Sequence, residues 1–108
     1  MRIKTADLTG PALDWAVAKC LQPGYEEWRL IRWIEQEFTP TANWAQGGPL
    51  IGQGKVCLSW MNTFGAWHAQ IGDEAEFNAY GPTPLIAAMR CVVASRLGDE
   101  VDIPEELL

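Results

Sequence analysis

Lys55-Val56-Cys57-Leu58-Ser59-Trp60-Met61 and Ala66-Trp67-His68-Ala69-Gln70-Ile71 are two alternating runs joined by Asn62-Thr63-Phe64-Gly65. Alternation with period two is the pattern of a half-buried strand, and a short connection returns the chain antiparallel. Val56, Leu58 and Trp60 share one face of the first run, and Trp67, Ala69 and Ile71 one face of the second. Gly72-Asp73 turns the chain again, and Ala75 to Tyr80 reads as a third strand with Phe77 and Ala79 inward. Residues from about 55 to about 80 are therefore predicted to form a three-stranded antiparallel meander.

The segments on either side read as helices. Downstream, Gly81-Pro82 breaks the strand, Thr83 is a capping residue and Pro84 takes the first helical position. Ile86, Met89, Val93 and Leu97 form a large apolar face, expected to meet the sheet near Trp60 or Trp67. Ala87, Cys91, Ala94 and Ser95 form an adjoining face of small residues, and Gly98 ends the helix. Upstream, Thr9 and Pro11 start a helix over about 10–21, with Leu8 and Leu13 spaced as a hydrophobic staple. Leu13, Ala16, Val17, Cys20 and Leu21 make its apolar stripe, and Pro23-Gly24 stops it. Residues 25–38 fit two readings. Tyr25, Trp28, Ile31 and Ile34 recur every three residues, whereas Trp28 to Trp33 also alternates; the longer period favours helix. Thr39 to Gly54, with Pro40, Gly47-Gly48, Pro49, Gly52 and Gly54, is predicted to be a loop. The expected class is α+β: a small three-stranded sheet (about 55–80) packed against an N-terminal helix (about 10–21) and a C-terminal helix (about 84–97).

The whole of residues 1–108 suits one domain of 12.0 kDa. A hydrophobic fraction of 48% with 20% charged residues excludes a wholly disordered chain. No apolar run is long enough to span a bilayer, and Met1 to Asp7 lacks the apolar core of a secretory signal. A cytoplasmic protein is the expectation. The net charge of −6 argues against direct nucleic-acid binding, which needs clustered Lys and Arg. Most of that charge lies late in the chain. Asp99 to Leu108 holds five acids and no base, and reads as a solvated tail or as a docking arm for a basic partner.

Leu8 to Ala18, Asn43 to Ile51 and Gly81 to Cys91 are three blocks that together resemble the NinX-like family of phage and prophage proteins. Leu8-Thr9-Gly10-Pro11-Ala12-Leu13-Asp14-Trp15-Ala16-Val17-Ala18 is similar to the family's opening. Asn43-Trp44-Ala45-Gln46-Gly47-Gly48-Pro49-Leu50-Ile51 is similar to its central motif, and Gly81-Pro82-Thr83-Pro84-Leu85-Ile86-Ala87-Ala88-Met89-Arg90-Cys91 to its third. Leu97-Gly98-Asp99-Glu100-Val101 with Pro104 fits its close. The blocks come in family order, and residues 25–38 and 62–80 lie outside them. The helix–sheet–helix pattern more loosely resembles phage domains described as α/β/α sandwiches. The resemblance implies a phage accessory protein of unknown function, made in the bacterial host cytoplasm. It carries over no catalytic residue and no cofactor.

Candidate chemistry is sparse. Cys20, Cys57 and Cys91 are an odd number without a CxxC pair, and His68 is the lone histidine, so reduced thiols and no metal site are expected. Cys57 and His68 lie on neighbouring strands and share the outer face. As a nucleophile and base they would need an orienting residue, for which Asn43 and Asn78 are candidates, and an oxyanion hole. Gly47 to Gly54 lacks the Lys-Ser/Thr of a phosphate loop, and Asp73, Glu74 and Glu76 suit a solvated turn. Arg90 and Asp14, each mid-helix, either pair with one another or reach water.

The six tryptophans are more suggestive, because tryptophan is enriched among binding hot spots. Trp60 and Trp67 read as core. Trp15 lies off its helix's stripe, and Trp44 sits in the glycine-rich segment beside Asn43 and Gln46. Arg29, Arg32 and Lys55 are too few to favour stacking on single-stranded nucleic acid. The expected binding residues are Asn43, Trp44, Gln46, Gly47, Gly48 and Trp15, with Gly47-Gly48 letting a ligand come close to the backbone. The competing account has Trp44 folding back to plug the core. The leading functional expectation is a non-enzymatic module that binds an unidentified host or phage protein, and a homo-oligomer stays open. The alternatives are a small cysteine-dependent hydrolase using Cys57 and His68, and an acidic mimic of nucleic acid. The mimic needs the acids of 73–76 and 99–106 to form one surface.

Overall fold

A computed structural model describes residues 1–108. In chain order the elements are β1 (Arg2–Lys4), α1 (Gly10–Leu21), α2 (Glu27–Gln36), α3 (Trp44–Gly54), β2 (Cys57–Met61), β3 (Ala66–Ile71), β4 (Phe77–Gly81), α4 (Pro84–Leu97) and β5 (Glu100–Asp102). The class is α+β, as the sequence implies. The meander has order β2-β3-β4 and is antiparallel throughout. Leu58 pairs with Ala69 and Ala69 with Ala79, all on the inner face. Cys57, Ser59, His68, Gln70, Asn78 and Tyr80 form the outer face, which no helix covers. The helices therefore lie on one side of the sheet, unlike a sandwich with helices on both.

α4 is the central element, and its faces are used differently from the sequence reading. The small face meets the sheet: Ala87 and Cys91 pack with Ala69 and Ala79 in a cluster of their own. A Cβ on Gly81 would stand 2.6 Å from the Ala87 nitrogen, so the strand and helix approach on a glycine. Met89 and Val93, expected to face the sheet, point the other way, into the helical core with Leu13, Val17, Leu30 and Ile34. Bulky residues fill the wider helix–helix gap, while small ones let the helix sit down on the sheet. α4 lies over β3 and β4, so the edge strand β2 extends beyond its cover. Trp60, expected in the core, is accordingly 48% exposed, with its indole Nε1 donating to Asn62 Oδ1 at 2.6 Å. Trp67 is half-buried and meets Trp60 edge-on at 5.6 Å.

The local helix signals hold with refinements. Thr83 caps α4 by accepting from Ile86 N at 3.1 Å, and Gly98 (φ 91°) ends it. Thr9 occupies the N-cap position of α1 without making a side-chain cap bond. α1 lies between α4 and α2, so it is buried beyond its stripe, Trp15 and Ala18 included. Residues 27–36 are helical, with Leu30, Ile31 and Ile34 inside.

Two segments depart from the sequence reading. The expected loop at 39–54 contains α3. Its glycines each cost about 1 kcal/mol relative to Ala, and a proline in a helix interior about 3 kcal/mol. Contacts outweigh those costs. Asn43 Oδ1 accepts from Ala45 N at 2.9 Å, Gly47 and Leu50 are buried, and Lys55 (φ 53°) closes the helix in the left-handed region. The acidic tail is likewise part of the fold. β5 pairs with β1, Ile3 opposite Val101, and Val101, Ile103 and Pro104 are buried. Asp102 takes the Met1 amine at 2.8 Å, and Glu100 the Arg2 guanidinium at 3.3 Å.

Candidate functional site

The Asn43–Gly48 motif opens α3, and most of it serves the fold. Asn43 is the cap. Gln46 ties down the end of α2: its Oε1 accepts from Thr39 N at 2.7 Å and its Nε2 donates to Glu37 O at 2.5 Å. Gly47 lies against the Pro40 carbonyl and Leu85, where a Cβ would meet them at 2.5 and 2.6 Å. Gly47 therefore serves helix packing, and its backbone is not open to a ligand. Trp44 is different. Its ring is 55% exposed and lies along Gly48, whose added Cβ would be 3.9 Å from Trp44 Cε3. The ring does not plug the core.

Trp15 is 3% exposed, and its indole nitrogen has no hydrogen-bond partner. Lys19 covers its ring, with Nζ 5.3 Å from the centroid, so this tryptophan offers no anchor to a partner. Arg90 and Asp14 neither pair nor simply reach water. Arg90 braces two elements, its Nε donating to Leu8 O and its Nη1 to Tyr80 O, each at 2.8 Å. Asp14 is buried and accepts from Thr41 N at 3.1 Å. Burial pushes its carboxyl above the usual range, against the lowering effect of Thr41.

The largest groove, of about 620 Å³, separates β4 from β5 and is lined in part by Arg2, Lys4, Arg90, Asp99 and Glu100. Arg2 is paired with Glu100 and Arg90 holds backbone carbonyls, so its charges are largely satisfied internally.

The sequence reading missed the outer side of α2. Tyr25, Trp28, Arg29, Arg32, Trp33 and Gln36 follow i, i+3, i+4, i+7, i+8, i+11 and line one shallow cavity of about 280 Å³. Trp28 is 56% exposed. The Arg29 guanidinium lies 4.1 Å from the Tyr25 ring centroid, and Trp33 stacks on Phe38 at 4.1 Å. The stripe holds two arginines in a chain of net charge −6, and the Glu26 carboxylate beside it accepts from Trp28 Nε1 at 2.7 Å. Trp, Tyr and Arg are the residue types most enriched in hot spots. The signal was the three-residue period of 25–36, which fixes the outer stripe once the segment is read as a helix.

On the sheet's outer face, Cys57 sits opposite Gln70, and His68 opposite Ser59, so the two are diagonal neighbours. His68 Nε2 is 2.8 Å from Asn78 Oδ1, and its ring lies beside Tyr80 at 4.9 Å. Cys57 is exposed, and none of the five main cavities is lined by Cys57 or His68. No three His, Cys, Asp or Glu side chains converge as metal ligands, and no helix is long and apolar enough to cross a membrane.

A family model described as Bacteriophage P22, NinX matches residues 4–96. No curated protein matches the chain.

Proposed function

The chain belongs to the phage P22 NinX family, and we propose that this phage accessory protein acts in the host cytoplasm by binding another protein, without catalysis. The carrying observation is the outer stripe of α2. Trp28 is 56% exposed there, beside Tyr25, Arg29, Arg32 and Trp33, on a helix whose other side holds the core residues Leu30, Ile31 and Ile34. Trp33 packs on the core, whereas Trp28, Arg29 and Arg32 are exposed and fit a partner with apolar and carboxylate groups. Trp44, exposed at the start of α3, is a second anchor.

The test is affinity capture from host cells expressing the phage genes, comparing the parent with Trp28→Ala/Arg32→Ala and with Trp44→Ala. A hot-spot truncation costs about 2 kcal/mol or more, close to thirtyfold in affinity. The same partner should be lost by the α2 double variant, with the melting temperature nearly unchanged. Undiminished capture by both variants sinks the reading. A loss of about 3–5 kcal/mol of stability instead would make the tryptophan a core residue.

A further inference from the structure

The two edges of the sheet are treated differently. Along β4, Arg90 Nη1 donates to Tyr80 O at 2.8 Å, so an α4 side chain takes up a carbonyl of that edge. Nothing does this for β2. Outside its ladder with β3, the only backbone bonds of Cys57–Met61 are those that Met61 O accepts from Phe64 N and Gly65 N in the turn. The remaining amides and carbonyls face outward without a partner in the chain.

The usual protections of an exposed edge are missing too. β2 contains no proline and no charged residue, and its five-residue register with β3 runs without a bulge. From Val56 to Gly72 there is no Asp, Glu, Lys or Arg. In a chain of net charge −6, pairing through this uncharged hairpin opposes no like charges at the contact.

We propose that the free edge of β2 is a self-association surface, on which a second copy of this chain pairs its own β2 antiparallel about a twofold axis at Ser59. The strand is self-complementary in that register. Ser59 faces Ser59 of the other copy, Leu58 faces Trp60, and Cys57 faces Met61. Each pair is apolar or small, and none opposes like charges. The axis stands perpendicular to the sheet, so inner faces stay together. The half-exposed Trp60 of each copy then covers the edge of the other's Leu58. The result is a continuous six-stranded sheet with the helices of both copies on one side and a closed, isologous interface.

Sedimentation equilibrium of the full chain, from about 1 µM to about 1 mM, should show its mass rising from 12.0 kDa toward twice that value. Ser59→Lys puts two ammonium groups opposite one another at the axis and should keep the chain monomeric with an unchanged circular dichroism spectrum. Ser59→Cys in a Cys57→Ser background should form an intermolecular disulfide under mild oxidation, because directly opposed residues satisfy disulfide geometry. Gln70→Cys in the same background, on the central strand, should not. A parent chain that stays monomeric across the range overturns the proposal. So does a dimer that survives Ser59→Lys, or one that fails to cross-link through position 59.

Discussion

Gly47→Ala and Gly52→Ala make the same chemical change in the same helix, and the packing around each site predicts opposite signs. In a helix interior, replacing Gly by Ala is worth about 1 kcal/mol of added stability, because alanine loses less backbone freedom on folding. At Gly52 nothing lies within 4 Å of the new Cβ, so most of that gain should appear. At Gly47 the Cβ would be 2.5 Å from the Pro40 carbonyl oxygen and 2.6 Å from Leu85 Cδ2. Leu85 can change rotamer, but the Pro40 oxygen is backbone and moves only if the 39–43 segment shifts. Overpacking of this kind costs about 2–3 kcal/mol, which leaves a net loss of about 1–2 kcal/mol. With an unfolding entropy of about 2.1 cal/mol/K per residue, each kcal/mol moves the melting temperature by about 4 °C in a chain of this size. Thermal and urea melts followed by circular dichroism should place Gly47→Ala about 4–9 °C below the parent and Gly52→Ala about 2–4 °C above it. A Gly47→Ala chain as stable as the parent would refute the packing account and return the position to a role in ligand approach.

Thiol titration of the folded chain with a soluble aromatic disulfide should modify Cys57 alone. Cys57 is exposed, whereas burial pushes the Cys20 and Cys91 thiols up to about 11 and removes them from reagent; three equivalents without denaturant would contradict the packing of α1 and α4. Asp14→Asn keeps an oxygen for Thr41 N while removing a carboxyl that burial holds above its ordinary range. A carboxyl with a raised folded value contributes stability that is full below its unfolded value, near 3.8, and is lost as pH rises through the folded one. The variant should therefore gain on the parent as pH is raised from about 4 to about 7, read from urea midpoints; a constant difference across that range would contradict it.

What was legible in the sequence was local. The caps at Thr83 and Gly98, the strand alternation and the breaks at Pro23-Gly24 and Gly81-Pro82 act within a few residues, and each marks its element correctly. What was not legible depends on contacts between distant segments. α3 has a composition that disfavours helix, and it forms because Gly47 docks against Pro40 and Leu85, a dependence that propensity does not encode. β1 and β5 are three residues each and come from opposite ends of the chain, so neither makes a pattern by itself; the alternation of Val101 and Ile103 with acids was masked by the charge around it. The layers of α4 were misassigned because the helix is apolar nearly all round, and only the widths of the two gaps decide which face meets the sheet.

The candidate site divides along the same line. Asn43, Gln46 and Gly47 have the chemistry of binding residues, but a capping bond, two bonds to the end of α2 and a backbone contact occupy them within the chain. Trp44 has no such internal demand on its exposed ring. The α2 stripe was hidden for a different reason. Tyr25, Trp28, Arg29, Arg32 and Trp33 look scattered when read in order, and they converge only when 3.6 residues per turn are imposed. An exposed indole and two arginines on one stripe bury little surface, so the stability of the domain does not call for them there. The inner residues Leu30, Ile31 and Ile34 already anchor the helix. Trp28 and Arg32 can therefore be changed without disturbing the fold, which is why the Trp28→Ala/Arg32→Ala variant should separate the proposed binding from stability more cleanly than changes in the Asn43–Gly48 motif can.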